Sequence, residues 1–520
     1  MNNDKLFFKI WRNQYLRFII TKFRILYEKN KKVKFLDYRD FKRYKEKEFV
    51  LEIDYQGNQL LKDGDLSEYP MVRIINLKDG IFNNVSSSIF ENTLIEKIKF
   101  PPYRYNAPPL LTDINKLPNT VNSIKQFPYD LKIPIPKSIK KITISSNYYF
   151  IRDFSLVNYL KFSENENITN LKIIPTWRAN SDSILIQNLF PKNLKTLDLG
   201  SYSQILNENV LPTSLEKLVF SSGYSMTFYS NKLLSLINLT HLSLSHQNVL
   251  LEPNSIPPNV TFLSIANLGN PVVDNSIIPR NLKTLIINPA FRPDYKGVSI
   301  LYDTFPNSLT ELKCEGFKLA SIPKIFKNDD NCFFPKSIKS LSIGSNFSDG
   351  FKPGFFFPLK PPASSSSSSL CNITSITFGY YFNEIILPNI LPKSLTFLKF
   401  GTNYNQPFLK DSIPPGCELK ELIFGDYFNR LVDHTTIPIK SLQVLRFGSN
   451  FKVPLESIGF NKFESLKTFE LDSKKYPYHI DLKSLEFPKS FETLILNRIF
   501  KFSSNIILNQ DCIKNIIYKK

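Results

Sequence analysis

Acid–base or metal chemistry would have to start from histidine, and this chain of 520 residues has four: His241, His246, His434 and His479. A metal site needs several ligands converging on one point, with carboxylates or thiolates completing the shell. His241 falls on an outward position of a predicted strand and His246 lies five residues on, without acid or thiol support nearby. No metal is therefore expected. Cys314, Cys332, Cys371, Cys417 and Cys512 are odd in number, widely spaced and free of any C-x-x-C pair. That is the pattern of free thiols in a reducing compartment, and Cys314 sits at an inward strand position where packing accounts for it. A Walker loop, a dinucleotide fingerprint, a nucleophile elbow and a zincin helix are all missing. An enzyme would have to gather its residues from separate segments. The chain reads as non-enzymatic, with no catalytic residue, cofactor or small-molecule substrate to name.

What the chain has instead is a spacing. Ile373-x-x-Ile376-x-Phe378-Gly379 is followed by Leu395-x-x-Leu398-x-Phe400-Gly401, Leu419-x-x-Leu422-x-Phe424-Gly425 and Leu442-x-x-Leu445-x-Phe447-Gly448, in steps of 22, 24 and 23 residues. So narrow a spread points to a solenoid. The same frame runs back through Ile338, Leu309, Leu282, Val260, Leu239, Leu215, Leu194, Ile168, Ile139, Val121, Ile95 and Val72 to Val50. It runs forward through Leu466, Phe491 and Ile513. In each copy the fourth and sixth positions are apolar around a polar or mixed residue, the period of a half-buried strand. Leu211-Pro212-Thr213-Ser214, Phe334-Pro335-Lys336-Ser337 and Leu391-Pro392-Lys393-Ser394 place proline at the corner feeding the strand, where a missing amide hydrogen does no harm. Gly344, Gly379, Gly401, Gly425 and Gly448 should permit a tight bend after it. One copy alone cannot bury its apolar side, so neighbours must stack.

The phrase Leu-Pro-x-Ser-Leu-x-x-Leu-x-Phe-Gly-x-x-Phe-Asn resembles the FNIP repeat family, whose units are similar to leucine-rich repeats. The likeness is sharpest from Ile373 to Pro454, including Tyr404-Asn405-Gln406-Pro407, and holds in outline over most of 190–500. Central copies depart from it: the strand at Leu282 runs into Asn288, Pro289 and Ala290, so the closing loop should differ there. The resemblance implies a mainly β fold, a leucine-rich-repeat-like solenoid with one parallel sheet face and no catalytic centre. Some members of the family carry an F-box, but the leucine-proline opening of that motif is missing here.

Domain organisation follows from where the frame stops. Residues 1–45 form a basic amphipathic segment and 46–520 a solenoid of about 18–20 copies, interrupted by a Ser-rich insertion at about 351–370. Phe8, Trp11, Tyr15, Ile19, Phe23 and Leu26 recur at helical spacing among Lys9, Arg12, Lys22 and Arg24. Such a helix can cap the first layer, dock a partner or lie on an anionic membrane. Capping is favoured, because solenoids need covered ends. Between the copies at 338 and 373, a step of 35 residues, Ser364 through Ser369 should form an extruded flexible loop.

A net charge of +20 invites a nucleic-acid reading. Residues 1–50 hold 15 Lys and Arg against 6 acids, but beyond them lysines are scattered among Asn and Ser without long runs. Solvated surface lysines account for that more simply than a phosphate-binding face. Lys9, Arg12 and Arg17 break up the apolar residues near the start, and no apolar run is long enough to cross a membrane. The cytoplasm, with the nucleus as alternative, is the expected location.

Binding should occur on the outward third and fifth positions of each copy. From 395 onward these are Phe397 and Lys399, Glu421 and Ile423, and Val444 and Arg446, an apolar column flanked by mixed charge that suits a protein partner. Phe262 and Ile286 form a weaker second cluster. Asn383, Asn405 and Asn429 should instead be structural, their amides bonding the backbone of adjacent turns. The expectation is a monomeric scaffold or adaptor holding an unidentified protein. The alternative is an anionic-surface binder, for nucleic acid or membrane, using the basic N-terminus and dispersed lysines.

Overall fold

The computed structural model describes residues 14–57, 59–77, 86–100, 117–126, 135–145, 164–174, 185, 187–202, 204–221, 225–245, 248–266, 268–270, 272–287, 299–300, 304–314, 334–344, 372–474, 476–478, 480–481, 485–502, 506–507 and 513–519. They belong to two compact units, Met1–Tyr224 with Ser235–Leu239, and Ser225–Leu234 with Thr240–Lys520. Each unit is mainly β, a solenoid of short strands paired in parallel.

The first unit opens with α1 (Gln14–Asn30), β1 (Lys32–Phe35) and α2 (Tyr38–Arg43). Then come β2 (Glu52–Tyr55), β3 (Ile74–Leu77), β4 (Lys97–Lys99), β5 (Ser123–Lys125), β6 (Lys141–Ser145), β7 (Asn170–Ile174), β8 (Thr196–Asp198) and β9 (Lys217–Phe220). Each strand pairs in parallel with the next, from β1 to β9. The ladder thus begins one strand before the frame that opens at Val50. Its first layer is aromatic: Phe41 of α2 is fully buried, with its ring centroid 5.3 Å from Phe35, 5.6 Å from Tyr55 and 4.8 Å from Tyr69.

The second unit holds β10 (Ser225–Phe228), β11 (His241–Leu244), β12 (Asn248–Leu251), β13 (Phe262–Ile265), β14 (Val272–Val273), β15 (Thr284–Ile287), β16 (Ser299–Ile300), β17 (Glu311–Cys314) and β18 (Ser340–Ile343). It continues with β19 (Ser375–Phe378), β20 (Phe397–Lys399), β21 (Glu421–Ile423), β22 (Val444–Phe447), β23 (Thr468–Leu471), β24 (Ile480–Asp481), β25 (Thr493–Asn497), β26 (Ile506–Ile507) and β27 (Asn515–Lys519). Its main ladder runs β11, β13, β15, β17 to β23, β25 and β27, all in parallel. The pairs β10–β12, β14–β16 and β24–β26 make small parallel sheets of their own.

Alternation decides which side is core. Ile98, Ile124, Ile142 and Leu171 in the first unit, and Ile376, Leu398, Leu422 and Leu445 in the second, are almost fully buried. The residues beside them in each strand are half-buried or exposed, apart from the buried Ser123. Between turns the backbone is shared closely: the amides of Lys420 and Glu421 both donate to Thr396 C=O, at 2.8 and 3.1 Å. The proline corner is a turn closed by the following apolar residue: Leu215 N–H donates to Pro212 C=O at 3.1 Å, and Leu395 N–H to Pro392 C=O at 3.2 Å. Proline is the acceptor there, so its missing N–H costs nothing. The serine of the same phrase ties one turn to the previous one. Ser214, Ser337 and Ser394 donate from Oγ to the carbonyls of Leu194, Leu309 and Ile373 at 2.7, 2.6 and 2.7 Å.

Candidate binding face

From β19 to β22 three ladders fix the chain before any outward residue is placed. The first is aromatic. Phe378, Phe400, Phe424 and Phe447 stack at 5.3, 5.4 and 5.3 Å, and Phe382, Tyr404, Phe428 and Phe451 stack beside them at 5.8, 5.9 and 6.4 Å. Within each turn the two rings lie 3.9 to 4.1 Å apart. The second ladder is the asparagine one that the sequence predicts. Asn383 Oδ1 accepts from Asn405 N–H at 2.8 Å, Asn405 Oδ1 from Asn429 N–H at 2.9 Å, and Asn429 Oδ1 from Lys452 N–H at 2.8 Å.

The third ladder is glycine, and the bend expected of it is not the reason for it. Gly379, Gly401, Gly425 and Gly448 are not among the glycines with positive φ. Instead, a Cβ on Gly401 would overlap the carbonyl oxygen of Gly379, and one on Gly425 that of Gly401. Successive turns approach so closely that only hydrogen fits between them.

On this frame the singled-out residues fall into two registered columns. Ser375, Phe397, Glu421, Val444 and Thr468 make one; Thr377, Lys399, Ile423, Arg446 and Glu470 make the other. Phe397, Ile423 and Val444 are half-buried rather than fully exposed, and Lys399 is exposed. Arg446 is held from both sides, 3.2 Å from Glu421 and 3.6 Å from the buried Glu470, which Lys519 also pairs. Phe262 and Ile286 sit in different columns of β13 and β15, and the His241 ring stacks on Phe262 at 5.3 Å.

The most exposed apolar residues of this region lie on the loops after the strands. Tyr380 is 55% exposed, Tyr427 54% and Leu431 51%. Sequence reading passed over them because it scored strand positions only. It also missed the left-handed asparagines. Asn188, Asn209, Asn254 and Asn389 have φ between 58 and 60°, each three residues before a proline. Asparagine tolerates that region better than other side chains do, so Asn-x-x-Pro was the available signal.

Elsewhere α1 presents Phe18, Phe23 and Ile25 to solvent along with Lys22, Arg24 and Lys29, while Leu16, Ile19 and Leu26 are half-buried. Phe23 meets the Phe49 ring at 5.8 Å. His246, His479, Cys332, Cys371, Cys512, Asn288 to Ala290, residues 6–13 and the serine run lie outside the described residues. Among the described residues Cys314 and Cys417 are buried, and burial pushes the Cys417 thiol up to about 11. Also among them, no cluster of three His, Cys, Asp or Glu could hold a metal ion, and no helix is long and apolar enough to cross a membrane.

Comparison with known proteins rests on the same segments. The family model of the FNIP repeat matches residues 182–223, 371–403 and 404–450. A FNIP repeat-containing protein of Dictyostelium discoideum is 29% identical over 123 residues, which is 23% of this chain and 22% of that protein's length. Among solved structures, a crystal structure described as CroV588, a novel circular LRR protein, aligns over 88% of this chain and 83% of its own, with 19% identity and a TM-score of 0.42. The Toll–Spätzle complex from Drosophila aligns over 90% of this chain and 63% of that one, with 11% identity and a TM-score of 0.40. The phrase read from Leu395 to Asn405 falls within two of the three matched segments, so in those segments the chain carries sequence that is similar to the FNIP repeat.

Proposed function

We propose that the chain is a non-enzymatic scaffold that holds a protein partner on the outward face of β20, β21 and β22. The observation that carries this is the registered group of half-buried Phe397, Ile423 and Val444 beside the exposed Lys399, on strands locked by three ladders. Part-exposed apolar groups on a rigid frame lose little freedom when covered, which is how a preorganised surface gains affinity. Mixed charge at the rim supplies specificity. The widely spaced cysteines, of which Cys314 and Cys417 are buried, suit a reducing compartment, and we place the protein in the cytoplasm, acting as a monomer.

Affinity capture with the full chain at two salt concentrations tests the reading. Wild type should retain a defined protein at both, because an apolar contact is insensitive to salt, whereas binding of nucleic acid or anionic lipid weakens steeply. Phe397→Asp should abolish capture while leaving the melting temperature nearly unchanged. Retention of the same partner by that variant excludes this face.

A further inference from the structure

A second surface lies in the first unit, and its chemistry is different. On β4, β5 and β6 the outward residues are Lys97 and Lys99, Ser123 and Lys125, and Lys141 and Thr143, with Lys140 just before β6. All five lysines are exposed. No carboxylate stands on these three strands. Register makes the arrangement costly: Lys99 is the direct cross-strand partner of Lys125, and like charges placed opposite each other destabilise a sheet. Among the described residues no ion pair relieves them. On one side Arg73 engages Glu96 at 3.5 Å. On the other Lys172 engages Asp198 at 2.5 Å and Lys195 engages Glu216 at 2.8 Å. Among the described residues, Arg73, Lys172 and Lys195 on either side of the patch are paired with carboxylates and the lysines within it are not.

We infer that the lysine face of β4, β5 and β6 binds an acidic segment of a protein, a short stretch rich in Asp and Glu. Three strands at about 4.8 Å span roughly 10 Å, the width of an extended peptide with a carboxylate row along each edge. A nucleic-acid strand fits less well. The outward positions hold Ser123 and Thr143 but no aromatic ring on which a base could stack. A duplex laid across the patch would also run over the carboxylates of Glu96, Asp198 and Glu216 that bound it. The inference does not depend on the face of β20 to β22, because it rests on other residues and another kind of contact.

The test is fluorescence anisotropy on the full chain with a labelled peptide of alternating Glu and Ser, its Gln-for-Glu counterpart, and duplex DNA. The Glu peptide should bind, the Gln peptide should not, and binding should fall steeply between about 50 and 200 mM salt. Lys99→Gln with Lys125→Gln should weaken it at least about tenfold. Lys99→Arg with Lys125→Arg should restore it, and Lys195→Gln, outside the patch, should leave it unchanged. Removing the opposed charges should keep the melting temperature or raise it by about a degree or two, so a loss of binding is not a loss of fold. Binding unaffected by the double Gln substitution overturns the inference, as does no binding of the Glu peptide. Tighter binding of duplex DNA than of peptide overturns it in favour of a phosphate backbone. Failure here with Phe397-dependent capture intact removes this site alone. Peptide binding that survives Phe397→Asp supports it alone.

Discussion

The turns of β19 to β22 and the turns of β4 to β6 are built from one plan and spend their residues differently. In the first block nearly every position after the strand is committed: a ring stacks on a ring, an amide bonds the next backbone, and a glycine makes room for a carbonyl. Outward charge there is neutralised, with Arg446 between Glu421 and Glu470. In the second block the inward residues are plain isoleucines, Ile98, Ile124 and Ile142, and β5 exits through Gln126 at φ 58°. Among the described residues the outward lysines have no ion-pair partner. The first block adds its three ladders to the stacked inward residues that both blocks share. Where they are present the face can be apolar and quiet. On the described strands β4 to β6 the outward face carries lysines instead.

The sharpest way to break that comparison is to remove room from the glycine ladder. Gly401→Ala puts a methyl group into the Gly379 carbonyl, which is backbone and cannot rotate away. Urea unfolding should show a loss of about 3 kcal/mol or more, the upper end of overpacking costs, because the main chain must move. Gly416→Ala is the control within the same block. It has φ +79° but open space where the Cβ would go, so it should cost only about 1–2 kcal/mol of left-handed strain. Equal losses at the two sites would mean that conformation, not inter-turn distance, selects glycine.

A smaller effect of opposite sign is expected inside the aromatic ladder. Tyr404 occupies a column otherwise made of Phe382, Phe428 and Phe451, and it is fully buried. Among the described residues its hydroxyl has no hydrogen-bond partner, and burial pushes the phenol well above its usual range. Tyr404→Phe removes an unsatisfied polar group and keeps the ring, so stability should rise by about 1–2 kcal/mol. A loss instead would show that the hydroxyl is serving something.

Most of the architecture was legible because its cause is periodic. The inward residues, the proline corner and the strand positions recur at one spacing, and the asparagine ladder could be read from Asn383, Asn405 and Asn429 by the same logic. What escaped notice was set by distances between turns or by the absence of a partner. Nothing in Gly401 itself says whether φ or a neighbouring carbonyl demands it. Lys99 and Lys125 lie 26 residues apart and become opposed only once register is fixed. Strand β1 was hidden by its own sequence, Lys32-Val-Lys-Phe35, which reads as part of a basic helical segment. At the candidate site the sequence singled out positions that register into two columns. It could not foresee that Arg446 is held by Glu470, a carboxylate that Lys519 reaches from β27.

The asparagine ladder gives the smallest effect and the cleanest separation of scaffold from surface. Asn405→Ala deletes the acceptor for the Asn429 amide, at an edge where water can take part of its place. The loss should be about 0.5–1.5 kcal/mol, far below that of Gly401→Ala. Partner affinity should not change, because the side chain points along the stack to the next turn and not toward the columns of Phe397 and Lys399. A variant that melts like wild type yet loses its partner would reverse the assignment, making the ladder a recognition edge next to Tyr380 and Tyr427. A variant that melts early and binds normally leaves the block as it stands here, with its amides spent on holding turns together.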